Sequence, residues 1–221
     1  ETHDELQNVS QLFDNWAEIN RDVGMEEGHY SSVISAIDKV ILPQPLRFLD
    51  IGCGNGWLVH FLSTYTAVDY GIGLDISEKM IRKARERFSG PGLQFYTANF
   101  LEWEPPVKFN FIISMEAFYY INPMENIFNK LKTCMLPGGK LLVGTDYYRE
   151  NPGSADWGKD LNLSLDRRSR EQWRSLFAEA GFTNIWQINI TAPESGDGPD
   201  WKRKYGTLFT GGTFSAENLS K

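Results

Sequence analysis

The stretch LDIGCGNG, residues 49–56, decides the fold. It opens on the end of an apolar run, which Asp50 closes, and glycines then stand at every second position: Gly52, Gly54 and Gly56. Glycine accepts the positive φ angles of a tight turn and lets the backbone approach a ligand closely. A helix that starts directly after such a loop points its N-terminal N–H groups at the same place. The stretch therefore predicts a strand, a ligand-binding loop and a helix.

Strands and helices alternate on both sides of this loop. Short apolar runs predict five strands, at residues 46–51, 68–76, 93–98, 109–115 and 140–148. Amphipathic patterns between and after them predict helices at residues 57–65, 77–88, 123–136 and 169–180. Two further runs, 184–190 and 205–212, are expected to form an antiparallel, hairpin-like edge. This order is typical of an α/β fold with a doubly wound, mostly parallel sheet of seven strands, the last one antiparallel.

The N-terminal region predicts two helices in front of the sheet. Apolar residues spaced three and four apart indicate a helix over residues 4–20. We expect a break at Gly24 and Gly28, and a second helix from near His29 to Pro43.

These helices suggest how the chain is organised. We expect a single domain over residues 1–221, with residues 1–45 as an N-terminal helical cap. The polar, aromatic segment 147–168 is expected to be a lid-like insertion. The end of the chain, SAENLSK, is expected to be frayed.

Composition excludes several classes of function. The 221 residues carry a net charge of -7, which argues against a nucleic-acid partner. No apolar run is long enough to span a membrane. The two cysteines, Cys53 and Cys134, show no disulfide or metal-ligand pattern, so we expect a cytoplasmic protein. The histidines lack metal-ligand spacing, and we expect no metal.

Three kinds of ligand use a glycine loop after a strand. A phosphate-binding loop would end in Gly-Lys-Ser/Thr, whereas Trp57 and Leu58 follow Gly56. A dinucleotide site would show G-x-G-x-x-G, and the spacing here is one residue shorter. S-adenosylmethionine carries an ammonium group that suits Asp50 and a carboxylate that suits backbone N–H groups. Asp75, at the end of the second strand, can accept hydrogen bonds from both hydroxyls of a ribose, which fits any adenosyl ligand.

The motifs together resemble the class I, Rossmann-like S-adenosylmethionine-dependent methyltransferases. The resemblance rests on LDIGCGNG, on GLDIS at 73–77, on TANFLEWE at 97–104 and on FNFIISMEAFYYI at 109–121. FDNWA at 13–17 is similar to the N-terminal motif of the family, with Phe13 in place of a tyrosine. Within the family, the chain most resembles the small-molecule group that includes the ubiquinone and menaquinone biosynthesis methyltransferases.

The resemblance implies a cofactor site and candidate catalytic groups. Asn99 would contact the adenine amino group, with Phe100 beside it. The complete set of implied S-adenosylmethionine-binding residues is Asp50, Gly52, Cys53, Gly54, Gly56, Asp75, Ile76, Asn99, Phe100, Met115 and Trp16. The candidates for catalysis are Glu116, His29 and Tyr147, and the aromatic residues expected around the methyl acceptor are Tyr119, Tyr120, Tyr148 and Trp157.

Several functions fit these expectations. The acidic charge and the expected lid favour methyl transfer to a small-molecule acceptor. A protein acceptor and a non-catalytic S-adenosylmethionine-binding module are both open alternatives. A nicotinamide-dependent oxidoreductase is the alternative from another class, and the short glycine spacing argues against it. Nothing in the sequence identifies the acceptor, because a fold of this kind hosts many substrates.

Overall fold

The computed structural model describes residues 3–88, 90–193 and 198–215 of the chain. In these ranges the strands are β1 (Leu46–Ile51), β2 (Val68–Asp75), β3 (Leu93–Thr97), β4 (Phe109–Met115), β5 (Met135–Thr145), β6 (Phe182–Ile190) and β7 (Thr207–Phe214). The helices are α1 (His3–Glu18), α2 (Arg21–Ile37), α3 (Trp57–Tyr65), α4 (Glu78–Arg87), α5 (Glu125–Cys134), α6 (Trp157–Leu161), α7 (Arg170–Glu179) and α8 (Asp200–Lys204). The predicted fraying of SAENLSK concerns residues 215–221, and all but the first lie outside the described residues.

The seven strands form one sheet in the order β3-β2-β1-β4-β5-β7-β6. Strand β7 runs antiparallel to both β5 and β6, and the other pairings are parallel. The predicted α/β class, the doubly wound sheet and its antiparallel last strand are confirmed. Strand β7 lies between β5 and β6, so β6 forms the edge of the sheet.

The central strands are apolar because both of their faces are covered. Successive side chains of a strand point to opposite faces, so Leu49 and Phe48 of β1 enter two different cores. Helices α5 and α7 cover the first face, while α2, α3 and α4 cover the second. This three-layer arrangement leaves the carboxyl ends of the parallel strands as the place for a ligand site.

Helix α2 corrects the predicted N-terminal region. It begins at Arg21 and runs through Gly24 and Gly28, where we expected a break, and it ends at Ile37. Each glycine in a helix interior costs about 1 kcal/mol relative to alanine, which buried side chains farther along the helix, such as Val33, offset. Gly28 also allows a close approach, since a Cβ atom there would lie 3.3 Å from Nζ of Lys202.

Strand β5 also starts earlier than the sequence pattern indicates. Met135 pairs with Phe109, and the next pair joins Lys140 to Phe111, so the segment between them bulges out of the ladder. The predicted helix 123–136 and the predicted strand from 140 leave residues 137–139 between them, but these residues lie within this irregular strand. Gly138 in the bulge has a φ of 78°, a conformation that favours glycine.

The segment 147–168 is ordered by contacts with the rest of the domain. It holds a short 3₁₀ turn and helix α6. Tyr148 is buried, and its hydroxyl donates to the carbonyl of Tyr205 over 2.9 Å. The ring of Trp157 stacks on Tyr147 at 5.9 Å between centroids. The role of this segment as a lid stays a prediction. Among the described helices, none has the length and apolarity to cross a membrane.

Candidate functional site

A cleft opens at the carboxyl ends of β1, β2 and β4. It holds about 1150 Å³ of space free of protein atoms, counting its open mouth. Helices α1 and α2 form its outer wall, and the glycine loop forms its floor. The predicted site residues that line it are Asp50, Gly52, Cys53, Gly54, Asp75, Ile76, Asn99, Phe100, Met115, Trp16, His29 and Glu116. Gly56 and Tyr147 are not among the lining residues.

The glycine loop folds tightly because all three glycines have a positive φ, at 77°, 52° and 82°. The N–H groups of Gly52 and Cys53 both donate to the carbonyl of Leu74, at 2.7 and 3.0 Å, which ties the loop to strand β2. A Cβ atom on Gly54 would meet nothing within 4 Å, so this backbone faces open space in the cleft. A Cβ atom on Gly56 would lie 2.8 Å from that of Ala84, so Gly56 serves packing instead.

Asp75 joins the loop to the next helix. Its carboxylate accepts the N–H of Gly54 on one oxygen and the N–H of Ser77 on the other, each at 2.9 Å. Burial raises the pKa of Asp75 to about 6, although these hydrogen bonds lower it. Each oxygen keeps a further lone pair for a ligand hydroxyl. Asp75 is thus oriented by backbone groups and still able to accept hydrogen bonds from a ligand.

Asp50 is a buried carboxyl group beside Asp75. Only 2% of its surface is exposed. Burial, and then the negative charge of Asp75, raise the pKa of Asp50 to about 8. A ligand ammonium group placed here would restore the charged form of Asp50, because an opposite charge favours ionisation.

The other predicted cofactor residues surround these two acids. Asn99 lies at the end of the cleft near β3, where its side-chain oxygen accepts the N–H of Leu101 at 3.1 Å and its amide group stays available. Phe100 is buried beside it. Trp16 approaches from α1, and its ring packs edge-on against Phe13.

Glu116 stands at the tip of β4 in an unusual conformation. Its φ is 55°, a left-handed value that costs a residue with a side chain about 1–2 kcal/mol. Its carboxyl group accepts the hydroxyl of Tyr119 at 2.8 Å and the N–H of Asp146. Burial raises the pKa of Glu116 to about 8, and the charge of Asp146 adds to the shift. Strained residues persist where the surrounding structure holds them, often at functional sites.

His29 forms a buried pair with Asp146, which lies just past the end of β5. Its Nδ1 lies 2.8 Å from the carbonyl of Met25, and its Nε2 lies 3.0 Å from Oδ2 of Asp146. A carbonyl can only accept, so Nδ1 carries a proton, and an ionised Asp146 requires a proton on Nε2 as well. Burial opposes the charge, but the hydrogen bond and the charge of Asp146 outweigh it and raise the pKa of His29. Both ring nitrogens of His29 are thus engaged in hydrogen bonds, and Asp146 favours its protonated form by raising its pKa.

These three side chains form a cluster that could be taken for a metal site. The potential ligand atoms of His29, Glu116 and Asp146 all lie within 4.8 Å of one another. Hydrogen bonds from His29 to Asp146 and from the N–H of Asp146 to Glu116 hold the three residues together. The sequence-based expectation of no metal stays a prediction.

Tyr147 does not reach the cleft. It is 5% exposed, and its ring lies between Tyr119 and Trp157, at 5.0 and 5.9 Å between centroids. Tyr120 lines the cleft and contacts Phe13 edge-on at 5.0 Å between centroids, whereas the other aromatic residues expected around the acceptor, Tyr119, Tyr148 and Trp157, are not among the lining residues.

Sequence reasoning missed two sets of residues. Asn55, in the glycine loop, donates to Asp22 and Glu26 at 3.0 Å each and so fastens α2 over the loop. Asp146 holds His29 in place, while Thr207 donates to its other oxygen at 2.6 Å. Contacts between residues so distant in the chain leave no periodic pattern in one sequence.

Comparison with known proteins identifies the domain. A family model described as a methyltransferase domain matches residues 25–187. The chain belongs to this methyltransferase family. The trans-aconitate 2-methyltransferase of an Acidovorax strain is 29% identical over 76% of this chain and 61% of its own length. The chain thus spans about three fifths of the length of the curated relatives it matches.

Solved structures agree with the family assignment. One similar structure is the complex between the Haloferax volcanii Trm112 methyltransferase activator and a proposed methyltransferase. A chain of that complex matches with a TM-score of 0.84 and 27% identity, and the match covers 92% of this chain and 97% of that one. The magnesium protoporphyrin IX methyltransferase of Synechocystis, solved with S-adenosylhomocysteine, shares the fold with a TM-score of 0.63 at 19% identity, covering 87% and 84% of the two chains. The resemblance to class I S-adenosylmethionine-dependent methyltransferases is confirmed.

The cleft of this methyltransferase domain fits S-adenosylmethionine. Asp75 offers lone pairs on both oxygens to a ribose, and the open space at Gly54 leaves room beside the backbone. Asp50 is a buried carboxyl group whose charged form an ammonium group would stabilise. These chemical features match the ribose and the amino-acid end of this cofactor.

We expect Asp75→Ala to weaken binding of S-adenosylmethionine at least about ten-fold, because two hydrogen bonds to a charged acceptor are lost. Isothermal titration calorimetry measures the change. Asp69→Ala is the matched control, since Asp69 lies in the same strand and its exposed side chain pairs with Arg47. Equal affinity for the two variants would contradict the assignment of Asp75 to the ribose.

We expect Gly54→Val to abolish binding because the added side chain would project into the cleft, while the domain stays folded at a modest cost in stability because the φ of 52° strains a residue with a side chain. Gly56→Val should lower the melting temperature more strongly, since its side chain would also collide with Ala84 and Phe95. Thermal unfolding and cofactor titration of both variants separate the two effects. Undiminished binding to Gly54→Val would show that the ligand lies elsewhere.

Proposed function

We propose that the protein is an S-adenosylmethionine-dependent methyltransferase acting on a small-molecule acceptor. The observation that carries the proposal is a cleft that is lined together by Asp50, the glycine loop, Asp75 and Glu116. When bound, S-adenosylmethionine supplies an activated methyl group on a sulfonium. The chain itself then has to align the acceptor and exclude water.

The enclosure of the cleft supports a small acceptor. Glu116 is 7% exposed, and α1 and α2 stand between the strand ends and solvent. A small molecule can enter such a space more easily than a folded protein. The related trans-aconitate 2-methyltransferases are named for a small acceptor, which agrees with this proposal. A protein acceptor and a non-catalytic binding module are the alternatives.

The net charge and the cysteines bear on the partners and the cellular location of the enzyme. The net charge of -7 disfavours nucleic-acid partners. Cys53 and Cys134 are free and buried, as is common in reducing compartments. We propose the cytoplasm as its location.

Calorimetric titration with S-adenosylmethionine, S-adenosylhomocysteine and NAD tests the proposed cofactor. We expect micromolar binding of the first two and none of NAD, because the loop lacks the dinucleotide spacing. Binding of NAD alone would contradict the proposal and favour an oxidoreductase. Turnover with an acceptor panel then distinguishes an enzyme from a binding module.

A second proposal concerns an activator subunit. It rests on the similarity to a chain solved with the Trm112 methyltransferase activator, which extends over 97% of that chain. We expect this protein to co-elute with Haloferax volcanii Trm112 in size-exclusion chromatography. Separate elution of the two proteins at micromolar concentration would contradict a shared mode of activation.

A further inference from the structure

Among the three candidate catalytic residues, one is well placed to take up a proton from an acceptor molecule. Tyr147 lies outside the lining, and both ring nitrogens of His29 are hydrogen-bonded. The carboxyl group of Glu116 lines the cleft and still has free lone pairs besides those used by Tyr119 and Asp146. Glu116 is therefore the group best placed to accept a proton from an acceptor molecule.

The charge of the cleft selects the kind of acceptor. Among the described residues that line it, the carboxyl-bearing ones are Asp22, Glu26, Asp50, Asp75 and Glu116. Lys83 pairs with Asp22 and Arg87 with Glu26, at 2.7 and 2.9 Å, so these two acids are neutralised from outside. No lysine or arginine lies among the described lining residues, although the guanidinium of Arg21 lies 4.1 Å from the ring centroid of Trp16, and His29 is hydrogen-bonded to Asp146. Asp50 and Asp75 are assigned to the cofactor, so Glu116 is the carboxyl group that remains for an acceptor, and its carboxylate favours a cation.

The aromatic residues of the cleft also suit a cation. Phe13 and Tyr120 line the cleft with aromatic rings, as does Trp16, one face of which is covered by the guanidinium of Arg21. The faces of aromatic rings carry negative electrostatic potential and attract ammonium groups. Aromatic rings further provide apolar contacts for the body of an acceptor.

The backbone of Glu116 indicates that its position matters. Its left-handed φ of 55° turns the side chain at the strand end, immediately before Ala117, whose Cβ packs against Gly52 of the glycine loop. This places the carboxyl group next to the cofactor end of the cleft. A buried acid held there at a conformational cost fits a functional role better than a packing role.

We propose that the methyl acceptor is a small-molecule amine that binds as its ammonium ion and gives its proton to Glu116. This inference rests on the proposed methyltransferase function and adds the substrate class. The ammonium group would lie between the carboxylate of Glu116 and the aromatic rings of Phe13 and Tyr120.

The transfer is balanced in atoms and charge. An N–H bond of the ammonium breaks, and its proton forms an O–H bond on the carboxylate of Glu116. The freed nitrogen lone pair forms a bond to the methyl carbon while the carbon–sulfur bond breaks, and its electron pair stays on sulfur. The products are a methylated ammonium ion and S-adenosylhomocysteine, and Glu116 returns its proton to water.

Matched panels of amines, alcohols and carboxylic acids on the same molecular bodies test the substrate class. One series is 2-phenylethylamine, 2-phenylethanol and phenylacetate, and aliphatic and imidazole series extend it. Formation of S-adenosylhomocysteine, followed by mass spectrometry of the product, is expected with amines alone. Turnover of an acid or alcohol, or of no amine, contradicts the inference. Absence of S-adenosylmethionine binding would instead contradict the proposed function itself.

The variant Glu116→Gln tests the proton acceptor. It preserves shape and hydrogen bonding but cannot take up the proton, so we expect kcat to fall about 100-fold or more. The dissociation constant of S-adenosylhomocysteine and the melting temperature should change little, which shows that the fold is intact. Glu125→Gln is the matched control, because Glu125 is a half-exposed acid paired with Arg168. Equal kcat in the two variants would overturn the role of Glu116.

The pH profile supplies an independent readout. The groups facing Glu116 are Tyr119, Tyr120, His29 and Asp146, with Lys202 behind Asp146. The active form of Glu116 is its carboxylate, so kcat/KM of the wild type should rise with pH as this group ionises. That rise should be missing from Glu116→Gln. A rise of the same size in both proteins would contradict the inference.

Discussion

The hydrogen bonds from Gly54 and Ser77 to the carboxylate of Asp75 are the constraint on which the rest of the site depends. They connect the glycine loop after β1 to the turn after β2, so two adjacent strand ends are held in one arrangement. Ser77 also donates to Asp14 of α1 at 2.6 Å, which extends the same network to the outer wall. One buried acid therefore links the floor and the wall of the cleft.

The cleft concentrates buried carboxyl groups in a way that has a cost for stability. The pKa values of Asp50, Asp75 and Glu116 are all raised, chiefly by burial. Charged forms of such groups are disfavoured until an opposite charge arrives. A cationic cofactor and a cationic acceptor would each supply that charge. The same feature therefore weakens the ligand-free protein and favours binding.

Helix α2 and helix α8 complete the acceptor side through His29 and Asp146. Lys202 donates to the carbonyl of Gly28 at 3.1 Å and lies 3.8 Å from Asp146, so the C-terminal part of the chain supports the cap from behind. His29 is therefore a positioning residue that joins the cap to the end of β5. Both ring nitrogens of His29 are already hydrogen-bonded, to Met25 and to Asp146. The structure therefore adds no support to the sequence-based hypothesis that His29 is a catalytic group.

Much of the fold follows from local sequence signals. The sheet was predictable because its buried strands are short apolar runs, and α3 was predictable because Gly56 marks its start. The start of α2 was not predictable from the sequence, because the glycines at positions 24 and 28 indicate a break. Buried contacts of the helix override that signal. In the site, the glycine loop and Asp75 were recognisable from spacing. The pairing of His29 with Asp146 spans 117 positions and leaves no local signal.

The most direct test of the central claim is a crystal structure with bound S-adenosylhomocysteine. We predict that its ribose hydroxyls contact Asp75, that its ammonium group lies at Asp50, and that its sulfur faces the side of the cleft where Glu116 stands. A ligand bound with its ribose away from Asp75, or with its sulfur directed away from Glu116, would contradict the account.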